Sequence, residues 1–165
     1  MNKGPLSGLL VLDLTRVLVG PYCTMILSDL GARVIKVEAP GVGDDSRGFG
    51  PFIEDQSAYF MSLNRNKESI ALNLKVEEDK KIFEKILDKT DILVENFKPG
   101  TLTKWGYGWE NLKDKYPKLI YASASGFGQT GPLKELPAYD MVVQGMGGLM
   151  SVTGQPNSEP TRVGT

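Results

Sequence analysis

Apolar residues come in short blocks whose period changes along the chain. Leu9-Leu10-Val11-Leu12 is a continuous apolar run ending near Asp13. Such a run suits a strand covered on both faces, as in a parallel sheet. Gly20-Pro21 reads as a helix start, with Pro at the first helical position. Tyr22, Ile26 and Leu30 then fall four apart, flanked by Cys23 and Leu27, and predict one helix face packed on the sheet. Gly31 reads as the helix stop. Val34, Ile35 and Val37 give a second strand ending at Glu38. A crossover this short is expected to be right-handed and to leave the two strands parallel.

The pattern continues in the same alternation. Residues 39–57, rich in Gly and Pro, predict a long loop, and long loops in compact domains usually serve function or move. A strand is expected over 70–74. A helix is expected over 77–88, where Ile82/Ile86 and Phe83/Leu87 make i, i+4 pairs and Glu77/Lys81 a surface pair. Ile92-Leu93-Val94 reads as a buried strand, 99–105 and 109–115 as two short helices, 119–123 as a further strand, and Ala138 to about Gly147 as a last helix. Strands alternating with helices predict an α/β class: a parallel sheet flanked by helices, filling residues 1–150 as one incomplete domain. Residues 151–165 are a Gly/Pro-rich tail with no helix that closes a domain.

Composition narrows the chemistry. Nineteen Lys and Arg against 20 Asp and Glu leave a net charge of −1 in 165 residues. That argues against a nucleic-acid surface or a polybasic membrane anchor. Histidine is absent, which removes His triads, His general bases and His metal sites. Cys23 is the single cysteine, so neither an internal disulfide nor a cysteine zinc cluster forms, and no metal is expected. One buried thiol suits a reducing cytoplasm. Met1 to Leu6 does not read as a signal peptide, and no apolar stretch is long enough to span a bilayer.

The motifs are individually ambiguous. Gly126-Phe127-Gly128-Gln129-Thr130-Gly131 matches G-x-G-x-x-G after a strand, but Pro132 follows and no helix opens inside it. A dinucleotide site needs that helix, and the first strand-to-helix turn holds only Gly20, so Glu38 lacks a phosphate-binding partner. Asn96-Phe97-Lys98-Pro99-Gly100 follows a strand and opens a helix, where open parallel sheets bind ligands. Phe97 suits an aromatic ring, Asn96 a polar edge, and Lys98 and Lys104 phosphates; an ordinary helix cap and turn gives the same pattern. Arg16, just past the first strand, divides the same way. Asn64-Arg65-Asn66-Lys67 reads as a solvated turn. Asp140 suits either a first-turn acid or a ligand contact. Tyr22, Cys23 and Met25 read as core.

Taken in order, these segments resemble one family. Leu12-Asp13-Leu14-Thr15-Arg16 with Gly20-Pro21, Asp29 to Glu38, Pro40 to Asp44 with Arg47, Asn64 to Lys67, Val94 to Gly100, Ser125 to Pro132 and Tyr139-Asp140 are similar to the family III CoA-transferases. The resemblance spans essentially the whole chain. It implies the N-terminal part of a Rossmann-like large domain, with 1–150 binding coenzyme A and 151–165 leading toward a catalytic segment. It implies a homodimer of interlocked subunits, with an acyl-CoA and a carboxylic acid acceptor as substrates. By position it assigns CoA contacts to Leu18, Val19, Ala39, Leu72 to Lys75, Asn96 to Lys98, Lys104, and Pro137 to Asp140, including Tyr139. Ala39 and Pro137 stand where some members carry a basic residue. The implied mechanism is an aspartyl-CoA intermediate. Its nucleophilic Asp is expected beyond Thr165, so no catalytic residue is expected in this chain, which is expected to be inactive alone. Tyr139 stands where the racemase branch carries a histidine, which favours transfer over isomerisation. A catalytically silent CoA-binding module, a split subunit completed by a second chain, or a racemase-type isomerase are the alternatives.

Overall fold

The computed structural model describes residues 4–164, in two compact units divided between Ala124 and Ser125. The first holds β1 (Leu10–Asp13), α1 (Val19–Asp29), β2 (Arg33–Glu38), a 3-10 turn (Asp45–Gly48), β3 (Phe52–Ile53), β4 (Gln56–Ser57), α2 (Ala58–Asn64), β5 (Lys67–Ala71), α3 (Glu77–Leu87), β6 (Ile92–Glu95), α4 (Thr101–Trp105), α5 (Trp109–Leu112) and β7 (Ile120–Ser123). Five strands form one sheet in the order β5-β2-β1-β6-β7, every pairing parallel. This is the doubly wound α/β arrangement, with its switch point between β1 and β6. The short β3-β4 hairpin stands apart as a second sheet. Its turn residues Glu54 and Asp55 both have positive φ, the backbone twist that a two-residue hairpin requires.

The two faces of the main sheet differ in chemistry. One is apolar: Leu12, Val37 and Leu93 meet Phe83 and Leu87 of α3, Leu102 of α4 and Leu112 of α5. The i, i+4 pair Phe83/Leu87 is fully buried, as the pattern implies, while the surface pair on α3 is Glu77 with Lys80 rather than Lys81. The opposite face is apolar at Val11, Val34 and Val94. Toward the strand ends it carries Asp13, Lys36 and Glu38, all buried.

That polar patch explains why α1 does not present the face its apolar stripe suggests. Tyr22, Ile26 and Leu30 are exposed; Gly20, Pro21, Thr24, Met25 and Ser28 are the buried set. The Thr24 hydroxyl donates to Asp13 Oδ2 at 2.6 Å, and Ser28 Oγ donates to the Asn66 carbonyl at 3.1 Å. Gly20 is needed for contact: a Cβ there would lie 2.3 Å from Thr15 Cβ. Cys23 turns outward with the same rotation, so its thiol is exposed rather than core. The third parallel strand occupies 67–71 rather than 70–74, because Lys67 and Ser69 are polar residues facing a polar sheet surface. The helix starts also sit a residue or two from their expected places: α1 begins at Val19 and α4 at Thr101.

The second unit contains α6 (Asp140–Met146) and a 3-10 turn (Leu149–Ser151). The glycine-rich segment 126–131 opens no helix. Gln144 is buried and ties α6 to the tail: Nε2 donates to Asp140 Oδ2 at 2.7 Å and to the Val163 carbonyl, and Oε1 accepts from Val163 N–H. Among the described residues no helix is long and apolar enough to cross a membrane.

Candidate functional site

A crevice of about 340 Å³ opens at the carboxyl ends of β1, β2 and β5 and beside the turn after β6. In an open parallel sheet, ligands are expected at this edge. Leu72 and Leu74, from the segment after β5, give it an apolar floor. Phe97 and Trp105 stand edge to face across 5.4 Å and form an aromatic wall. Arg16 and Lys75 bring positive charge to the rim, and the Arg16 guanidinium lies 5.9 Å from the Phe97 ring centre. Ala39, Pro40 and Gly43 line the side below β2 with little bulk.

Phe97 is placed by the strand before it. Glu95 ends β6 buried, and one of its carboxylate oxygens accepts the Phe97 N–H at 2.8 Å. Burial raises the Glu95 carboxyl, while that N–H and Ser123 act to lower it. The turn is thus fixed by a side chain two residues upstream, a common device at strand ends.

Buried charges at the same strand ends form a web. Asp13 accepts from the Thr15 N–H at 2.8 Å, the Thr15 and Thr24 hydroxyls, and Lys67 Nζ at 3.1 Å. Lys67 Nζ also donates to the Pro21 carbonyl and to Asn64 Oδ1. Lys36 is 1 % exposed; its Nζ donates to the Thr15 carbonyl at 2.7 Å and sits 2.9 Å from Asp44 Oδ2, an ion pair not aligned as a hydrogen bond. Glu38 receives both arms of Arg47 at 2.7 Å, the Ser69 hydroxyl at 2.6 Å and the Asp44 N–H at 3.0 Å. Arg47 also stacks over the Phe60 ring. Three acids and three bases balance, as buried charge requires.

The pairing shows in the titration of these groups. Burial favours neutral Glu38, yet Arg47 and Ser69 outweigh it and bring the carboxyl down to about 2. Burial likewise opposes ionised Asp44, and the Lys36 ammonium and Ser46 overcome it. Lys67 is lowered, because burial exceeds the pull of Asp13. Both carboxylates that line the crevice are therefore ionised and committed to cations.

Of the residues singled out from sequence, Arg16, Ala39, Leu72, Lys75 and Phe97 line the crevice. Leu18, Val19, Asn96, Lys98 and Lys104 are not part of its lining. The Asn96 amide is engaged at both ends with the Arg16 backbone: Oδ1 accepts from N–H at 2.9 Å, and Nδ2 donates to the carbonyl at 2.7 Å. Lys98 and Lys104 are exposed on the turn and helix after β6. Tyr139 and Asp140 belong to the second unit, Tyr139 being 78 % exposed and Asp140 the first residue of α6. Lys67, read as part of a solvated turn, has a side chain only 2 % exposed and joins the charged web. Sequence reasoning missed Lys36 and Asp44. The available signal was a lysine within the apolar run Val34-Ile35-Lys36-Val37, which makes sense only beside a buried acid. No group of three or more metal-binding side chains is gathered among the described residues.

A family model described as CoA-transferase family III matches residues 6–165. Acetyl-CoA:oxalate CoA-transferase of Acetobacter aceti is 59% identical over 162 residues, 98% of this chain and 42% of that protein. Human succinyl-CoA:glutarate CoA-transferase is 49% identical over 164 residues, 99% of this chain and 37% of that protein. The crystal structure of a CaiB/BaiF family protein from Brucella suis superposes with a TM-score of 0.93 at 45% identity, covering 99% of this chain and 44% of that one. The chain thus spans about two-fifths of the length of these relatives. A doubly wound sheet with an open aromatic and basic crevice at its strand ends, and a family match running from Leu6 to the last residue, agree: the chain belongs to CoA-transferase family III.

Proposed function

We propose that this chain is the CoA-binding portion of an enzyme that moves CoA from an acyl-CoA thioester to a carboxylic acid. The observation that carries the reading is the crevice itself. Phe97 and Trp105 offer ring faces and edges to an adenine, and Arg16 and Lys75 offer cations to phosphates. Leu72 and Leu74 give apolar surface to the uncharged pantetheine arm. Lys98, Lys104, Leu18 and Val19 serve as further contacts once the ligand extends past the crevice.

The chemistry follows from what the crevice withholds. Glu38 and Asp44 are held in ion pairs, so neither is a free nucleophile. The attacking carboxylate is an aspartate from polypeptide beyond residues 1–165. It adds to the thioester carbonyl and expels CoA thiolate, leaving a mixed anhydride. The thiolate then attacks the aspartyl carbonyl and releases the donor acid. The acceptor carboxylate repeats the two steps in reverse, and backbone N–H groups carry the oxyanion. The complete enzyme is a homodimer, and the absence of histidine from this stretch favours transfer over racemisation.

Titrating CoA into the 165-residue protein while following tryptophan fluorescence tests the reading. Trp105 lines the crevice, so a saturable change is expected, with acyl-CoA exchange at background. No binding at millimolar CoA overturns the assignment of the crevice. Turnover above background overturns the assignment of the nucleophile.

A further inference from the structure

The turn that follows β1 is held almost entirely from outside itself. Thr15 is fixed through its N–H by Asp13 and through its carbonyl by Lys36 Nζ, 2.7 Å away. Arg16 is clamped on both backbone groups by Asn96. Val17 adopts φ 69°, a left-handed conformation costly for a β-branched residue, and its N–H is received by Asp44 Oδ1 at 3.0 Å. Asp44 is oriented in turn by Lys36 at 2.9 Å, and by the N–H and hydroxyl of Ser46.

Lys36 reaches the turn twice, directly at the Thr15 carbonyl and through Asp44, which holds Val17. It does not line the crevice, whereas Thr15, Arg16 and Asp44 do. A buried ammonium is costly unless it is paired and hydrogen-bonded, and a leucine or methionine would fill the same space in a simple sheet core. We infer that Lys36 is a positioning residue: the Lys36–Asp44 pair holds the strained Thr15–Val17 turn in the shape that admits CoA, without touching the ligand. This rests on the crevice being the CoA site.

The test compares Lys36→Met, which keeps length and loses charge, with Val34→Ala. Val34 lies on the same strand and sheet face, is fully buried among Val11, Ala32 and Val94, and does not line the crevice. Both variants are expected to unfold at lower urea concentration. Under conditions where each is fully folded, Lys36→Met is expected to weaken CoA at least tenfold and to speed amide hydrogen exchange at Val17 at least tenfold. Val34→Ala is expected to leave both within twofold. A folded Lys36→Met protein with unchanged CoA affinity and unchanged Val17 exchange overturns the inference, as does a Val34→Ala protein that loses affinity equally. If Lys36→Met does not fold, Asp44→Asn takes its place, because it keeps the acceptor for Val17 but loses the ion pair; the same two changes are expected, and their absence overturns the inference. If the unaltered protein does not bind CoA, the functional reading fails, while Val17 exchange still decides the role of Lys36.

Discussion

Replacing Glu38 by Gln isolates the best-paired carboxylate in the web. The side chain is 5 % exposed and its two oxygens accept four hydrogen bonds, two from Arg47, one from Ser69 and one from the Asp44 N–H. Glutamine has the same shape but a single oxygen. Whichever way its amide turns, an NH₂ group faces N–H donors. Leaving one buried donor unsatisfied costs about 1–3 kcal/mol, and the lost charge on the Arg47 bonds adds to that. A second route gives a similar size: a fall from 4.5 to about 2 corresponds to roughly 3 kcal/mol favouring the ionised form. The expected loss of folding stability in Glu38→Gln is therefore about 3 kcal/mol at pH 7. The pH dependence has a definite sign. A carboxyl that is more acidic folded than unfolded stabilises above its unfolded value and loses that contribution as pH falls toward its folded one. The gap between unaltered protein and variant is expected to be full at pH 7 and to shrink to under half by pH 3. Urea unfolding followed by circular dichroism at the two pH values measures it. A gap below 1 kcal/mol at pH 7, or one equal at both pH values, refutes the reasoning.

Two further outcomes are expected. Phe83→Ala removes a fully buried ring packed edge to face on Tyr107 at 4.7 Å, and is expected to cost about 3–5 kcal/mol in a urea titration; a loss under 1 kcal/mol contradicts the placement of the core. The exposed Cys23 thiol is expected to react with a chromogenic disulfide reagent in the native protein as fast as in urea, and strong native protection contradicts the orientation of α1.

Fold class was legible because buried parallel strands are continuous apolar runs: Leu9 to Leu12 and Ile92 to Val94 signal both strand and burial without reference to anything distant. The i, i+4 pair Phe83/Leu87 was legible for the same reason, since α3 packs on an apolar sheet face. The orientation of α1 was not. A helical stripe points inward only where the surface beneath it is apolar, and under α1 lie Asp13 and Lys67, which call for Thr24 and bare backbone. Nor could the start of β5 be read, because Lys67 and Ser69 satisfy a polar sheet face that single-strand periodicity cannot anticipate. At the crevice, Phe97 and Arg16 stood out by their place at strand ends. The edge-to-face packing of Trp105 on Phe97 was not legible, since it depends on α4 folding back. Asn96 was visible as a polar residue at the right edge, and only the fold shows both ends of its amide bound to the Arg16 backbone.

The placement of CoA is tested most directly by following backbone amide resonances of the isotope-labelled 165-residue protein as CoA is added. Saturable shifts are predicted, largest at Ala39, Leu72, Lys75 and Phe97, four residues that line the crevice. Saturable binding whose shifts fall elsewhere and leave those four residues unmoved contradicts this placement.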